Sequence, residues 1–239
     1  MVIVSPIFNS FDVITNHMSK KGIKKQVPLN LNELIISQEF PNIKNKVILD
    51  SLLELNNVVF DSDDVQYMAS MGIKIPFDNG AEIVKFLNEK NVNIEFGQIS
   101  IKGIFAQYNY KDNLIVINEN YKVPKSRADV LAISEAIVHE SGHAFDCDSG
   151  NSVQEEINNL ALNVLTHKHY LKKYPHAYDY STSPLIIDGV QRYKDLFYDV
   201  DPEKKALVDR LKKKYGYLPL SDYLHPASYL AMRVKEASI

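Results

Sequence analysis

The sequence predicts an α+β domain: a small antiparallel or mixed sheet packed on one long helix, with a second, glutamate-bearing helix directly after it. Three stretches carry that expectation. Residues 92–118 hold three apolar runs that read as strands, separated by turn residues. Residues 126–145 show a capped amphipathic helix pattern with two histidines four apart. Residues 152–165 open with a capping box and continue as an apolar stripe at helical spacing.

The totals set the frame. The 239 residues suit one large domain, or a mainly helical N-terminal segment over 1–60 followed by a catalytic domain over 61–239. Hydrophobic content of 45% and charge of 24% are ordinary for a globular chain. A net charge of -3 gives no global attraction for nucleic acid or an anionic membrane. The single cysteine, Cys147, allows no internal disulfide, which fits a cytoplasmic setting or export by a route without a classical signal peptide. The opening Met1-Val-Ile-Val-Ser-Pro-Ile-Phe8 lacks a basic leader and a sustained apolar core, so a secretory signal is not expected. No run approaches the length of a membrane span.

Along the chain, Val47 to Leu55 has the apolar spacing of a helix. Asp61-Ser-Asp-Asp64 offers an N-cap for a short helix over Val65 to Met71, ended near Gly72. Asp78-Asn-Gly80 breaks the chain, and Ala81 to Lys90 reads as an amphipathic helix. From Val92 the period changes. Val92–Phe96, Ile101–Tyr108 and Leu114–Asn118 read as strands, and the Lys111-Asp112-Asn113 turn makes the last two a hairpin. Ser126 then caps a helix over Arg127 to Phe145, buried through Val130, Leu131, Ile133, Ile137 and Val138, and Asp146 to Gly150 stop it. Further on, His167 and His169 with Lys168 and Lys172 suit a solvated helix end, and Lys204, Lys205 and Lys212 to Lys214 suit the exposed face of a C-terminal helix.

The chemistry concentrates in Ala136-Ile-Val-His-Glu-Ser-Gly-His-Ala-Phe-Asp146. A spacing of four puts His139 and His143 on one helix face, so both imidazoles can close on one ion. Glu140 can reach a water on that ion. This is the His-Glu-x-x-His pattern of zinc hydrolases, with the glutamate as general base. Such a site needs a third protein ligand and an open fourth position. The metzincin continuation would need glycine at 146 and His or Asp at 149; Asp146 and Ser149 disfavour it. A carboxylate from the next helix is the alternative. In Ser152-Val-Gln-Glu155 the glutamate folds back as the capping box, which leaves Glu156 for the metal and Glu155 as runner-up. Asp146 is a candidate partner for a ligand imidazole, and Cys147 reads as a small buried or incidental residue.

These residues carry a resemblance. Val138-His-Glu-Ser-Gly-His-Ala-Phe-Asp146 resembles the active-site helix of gluzincin-type metallopeptidases, and among them the anthrax lethal factor and Pro-Pro endopeptidase group. Glu156 to Leu165 is similar to the third-ligand helix of the ImmA/IrrE-like peptidases. The resemblance covers roughly residues 101–166 and implies a zincin-like fold, Zn²⁺ as cofactor and an edge strand that pairs with an extended peptide substrate. In the lethal-factor group the ligand glutamate lies further downstream, seven residues after a tyrosine; here Tyr229 and Glu236 have that spacing, so Glu236 is a third ligand candidate. A thermolysin-like arrangement would place a histidine after the ligand glutamate as transition-state donor. That suits His225, oriented by Asp222, with Tyr178, Tyr180 and His176 as the other candidates.

The resulting expectation is a zinc metalloendopeptidase, a cytosolic regulator or a delivered effector or toxin. It would act on protein or peptide, with no nucleic-acid or membrane partner. The alternative is a catalytically silent metalloprotease-like domain that binds a protein partner; an intact Glu140 speaks against it.

Overall fold

A computed structural model describes residues 36–70, 72–100, 104–147 and 152–177. Side-chain caps set its helix starts, at Asn45 and Asn79 as well as at Asp61, Ser126 and Ser152, where the sequence offers them. Helix α1 (Lys46–Asn56) begins at Asn45, whose side chain accepts from the Val47 N–H at 2.9 Å. Asp61 takes the Asp63 N–H at 3.0 Å and starts α2 (Ser62–Ser70); Gly72, at φ 72°, turns the chain out of it. Asn79 accepts from the Glu82 N–H at 3.0 Å and starts α3 (Gly80–Glu89).

Strands β1 (Asn93–Gly97), β2 (Ala106–Asn109) and β3 (Leu114–Asn118) form one mixed sheet in the order β1-β3-β2. The expected hairpin is present: β2 and β3 pair antiparallel, with Tyr108 opposite Ile115. Its turn uses Asn113 at φ 49°, a conformation asparagine tolerates better than most residues. The Asn113 side chain donates to Lys90 O at 2.8 Å and Asn91 O at 3.1 Å, which fastens the turn to the entry of β1. β1 joins β3 in parallel, with Glu95 opposite Val116. β2 starts at Ala106, so it is shorter than the run from Ile101 suggested; residues 101–103 lie outside the described residues.

Helix α4 (Arg127–Asp146) is the centre of the fold. Ser126 and Asp129 form a reciprocal capping box at its start. It is buried nearly all round, including Leu131, Ile133, Ile137 and Val138, which is the pattern of a helix enclosed by neighbours rather than laid on a surface. The sheet covers one side through Ile115 and Ile117 of β3, and α1 covers another through Ile48, Leu52 and Leu55. Ser51 of α1 donates to Val130 O of α4 at 3.0 Å. The described part of the N-terminal segment is helical and shares this core. Among the described residues no helix is long and apolar enough to cross a membrane.

Helix α5 (Val153–Lys173) packs against α4 and runs eight residues past the Leu165 limit read from the sequence. Ile157, Leu160, Ala161, Val164 and Leu165 are buried, as their spacing predicts. The expected solvated end at His167 and His169 is not found. His167 is 1% exposed and bonds Glu135 at 2.9 Å, and His169 is half-buried and accepts from the Val59 N–H at 3.3 Å. The added turns bring His167 onto the core face, because residue 167 continues the row of 155, 159 and 163. The lysine runs at 204–205 and 212–214 lie outside the described residues.

Candidate metal centre

The partners across α4 and α5 descend on one helix as they climb on the other: His143 meets Glu155, His139 meets Asn163, Glu135 meets His167, and Ser134 meets Tyr170. The helices are therefore antiparallel, and the histidines near the end of α4 face the first turns of α5. Close approach depends on Gly142. A Cβ there would lie 1.9 Å from the Asn159 amide oxygen, so only glycine lets that side chain rest on the α4 backbone.

His139, His143 and Glu156 each present a ligand atom, and these atoms lie within 4.8 Å of one another. His139 Nε2 is 3.5 Å from Glu156 Oε2, and His143 Nε2 is 3.6 Å from Glu156 Oε1. Two ligands held at ordinary zinc distances with a tetrahedral angle stand about 3.3 Å apart. The two His–Glu156 separations lie close to that value, and the group could bind a metal ion.

Hydrogen bonds at the far ring nitrogens orient both imidazoles. His139 Nδ1 is 2.9 Å from Asn163 Oδ1. The Asn163 amide cannot be reversed without loss, because its Nδ2 donates to the Glu135 carbonyl at 2.8 Å. An oxygen therefore faces His139 Nδ1, which must carry the proton. His143 Nδ1 is 2.5 Å from Glu155 Oε1, with the same consequence. Both Nε2 atoms are left facing Glu156, the arrangement in which outer partners set ligand tautomers. The role read for Asp146 is filled at these two atoms by Asn163 and Glu155.

Glu155 makes its expected capping box: Ser152 Oγ accepts from the Glu155 N–H at 3.1 Å, and Glu155 Oε2 accepts from the Ser152 N–H at 3.3 Å. Its other oxygen holds His143. The residue is thus both cap and imidazole partner, where the sequence reading held it as cap and as runner-up ligand.

Glu140 is 7% exposed and sits where the sheet meets α4. Its Oε2 accepts from the Tyr108 N–H on β2 at 2.8 Å. Asn118 donates to Phe105 O across the hairpin, so by alternation the backbone groups of Ala106 and Tyr108 point away from β3. That outer edge of β2 is the side on which Glu140 lies.

Burial disfavours a charged His143, but the Glu155 hydrogen bond and the charges of Glu140, Glu156 and Glu155 outweigh it and raise its pKa to about 9. Without a metal the proton on His143 supplies positive charge among three carboxylates. A metal must displace it. Burial raises the Tyr108 phenol above its ordinary range, with Cys147 adding to the effect.

Cys147 is exposed rather than buried, and at φ 49° it forms the left-handed end of α4. His176 stands beyond the C-terminal end of α5, about 25 Å along the helix from Glu156, so the fold does not bring it to the centre. His225, Asp222, Tyr178, Tyr180, Tyr229 and Glu236 lie outside the described residues. The sequence reading missed Asn163, the second bond of Glu155 and the Tyr108 N–H. A signal for the first two exists: Glu155, Asn159, Asn163 and His167 recur every four residues beside an apolar stripe, opposite Glu135, His139 and His143 at the same interval.

No protein-family model, no curated protein and no solved structure gives a significant match to this chain.

Proposed function

We propose that the chain is a zinc metalloendopeptidase of zincin-like fold, with His139, His143 and Glu156 as metal ligands and Glu140 as general base. The observation that carries the reading is the convergence of two Nδ1-anchored imidazoles and one buried carboxylate, with a second carboxylate, Glu140, in the same helix turn. A purely structural ion pair would need neither matched tautomers nor that neighbouring glutamate.

Bound zinc would supply a water that ionises near neutral pH and a positive charge beside the attacked carbonyl. The chain's own residues do the rest. The Tyr108 N–H holds Oε2 of Glu140, which leaves Oε1 to take the proton from the attacking water. As the C–N bond breaks, Glu140 passes that proton to the departing amine. The outward N–H and C=O of Ala106 and the C=O of Tyr108 can pair with an extended peptide, which would lay the scissile bond beside Glu140.

Cleavage of a peptide library by zinc-loaded protein tests the reading. Glu140→Gln should retain zinc and lose about a thousandfold in rate. Cleavage that survives this substitution, or zinc-loaded protein that cleaves no member of a broad library, would count against it.

A further inference from the structure

We propose that Glu155 makes the first turn of α5 part of the metal site: the capping box at Ser152 sets the Glu155 carboxylate, and that carboxylate holds His143 with Nε2 toward Glu156. The inference rests on the metal-binding reading above and adds a positioning pair to it.

Two bonds close a ring at the helix start and a third carries it to His143. Ser152 Oγ takes the Glu155 N–H at 3.1 Å, the Ser152 N–H returns to Glu155 Oε2 at 3.3 Å, and Glu155 Oε1 meets His143 Nδ1 at 2.5 Å. Ser152 is 0% exposed and Glu155 3%, so no solvent competes for these atoms. A capping glutamate on a helix surface can swing between rotamers; this one has each oxygen bound to a different element. Loss of the Ser152 hydroxyl leaves the Ser152 N–H on Oε2 but releases the Glu155 N–H, so the turn that aims the carboxylate loosens and the imidazole follows.

The two histidines differ here. His139 is oriented by Asn163, whose own anchor is the Glu135 carbonyl in the interior of α4. His143 is oriented from a helix terminus, where fraying begins. Metal affinity should therefore respond to the integrity of the α5 N-cap through His143. By reciprocity the metal should secure that first turn. Ser152 is none of the three candidate ligands, so a direct ligand effect is not its route.

Zinc affinity, measured by competition with a chromophoric chelator, decides this in the unaltered chain, Ser152→Ala, Ser152→Thr, Glu155→Ala and the Ser152→Ala/Glu155→Ala pair. Ser152→Ala should weaken zinc about threefold to tenfold, the range a lost cap spans, and Ser152→Thr should restore most of it. Glu155→Ala should weaken zinc about tenfold to a hundredfold. Ser152→Ala should add nothing once Glu155 is alanine. In the unaltered chain, zinc should slow hydrogen exchange at the amides of residues 155 and 156, and this protection should shrink in Ser152→Ala. An equal loss from Ser152→Ala in both backgrounds would mean that Ser152 only secures the helix, and would overturn the coupling. So would an unchanged affinity in Ser152→Ala. In either case zinc still binds, so the metal-site reading stands; a chain that binds no zinc removes both.

Discussion

The α4/α5 pair has two ends built on opposite principles. At one, His139, His143, Glu155, Glu156 and Asn163 bring imidazoles and carboxylates into a nearly buried cluster. At the other, Leu131 and Ala132 pack in the apolar core, and beside them the buried Ser134 and Tyr170 hydroxyls bond each other at 2.6 Å and His167 bonds Glu135 at 2.9 Å. Beyond it a clasp closes the rim. Arg127 lies 4.2 Å over the Tyr174 ring and pairs with Glu54, and Tyr174 donates to Glu54 at 2.9 Å. Buried charges stabilise little and can cost stability, whereas buried aliphatic side chains stabilise strongly. The far end therefore holds the hairpin of helices together, and the other end can carry chemistry because of it.

Substitutions can break that division. The largest stability effect belongs to the far end. Leu131→Ala, in a fully buried site, should lower unfolding stability by about 3 kcal/mol in urea titration while zinc affinity stays within about twofold. A parallel loss of zinc binding in protein that remains folded would show that the two ends are not separable.

The second effect sharpens the contrast through pH. In metal-free protein His143 titrates at about 9, above its ordinary 6.5. A raised folded-state pKa contributes stability that is full below about pH 6.5 and is lost as pH rises through about 9. Thermal unfolding in chelator should thus show the metal-free protein losing up to about 3 kcal/mol across that window. His143→Gln should flatten this part of the profile. A profile unchanged by that substitution would mean the three carboxylates do not hold a charged ring.

The smallest effect concerns the buried hydroxyl pair. Tyr170→Phe leaves the Ser134 hydroxyl without its partner and should cost about 1 kcal/mol in the same titration, with no change in zinc affinity.

The same division explains what could be read in the chain alone. Local signals were legible. Ser126 and Ser152 are capping-box serines, Asn113 marks the hairpin turn, and the apolar stripes of α4 and α5 follow from spacing. The His139/His143 pair and Glu156 were legible because one is a fixed interval on a single helix and the other lies just past a cap. Parallel pairing of β1 with β3 was not, since register between distant strands has no local mark. The Tyr108 N–H was not, because a backbone donor leaves no trace in residue identity. The second bond of Glu155 is hidden by its first: a capping box occupies one carboxylate oxygen and leaves the other for His143. Gly142 was visible as part of the motif, but its reason, the Asn159 side chain against it, belongs to packing between helices.

Metal stoichiometry by native mass spectrometry tests the central claim most directly. After zinc loading and removal of excess ion, the unaltered chain should carry about one zinc, and His139→Ala, His143→Ala and Glu156→Ala should each carry almost none under the same wash. No retained zinc in the unaltered chain, or one zinc retained in all three variants, would contradict the account.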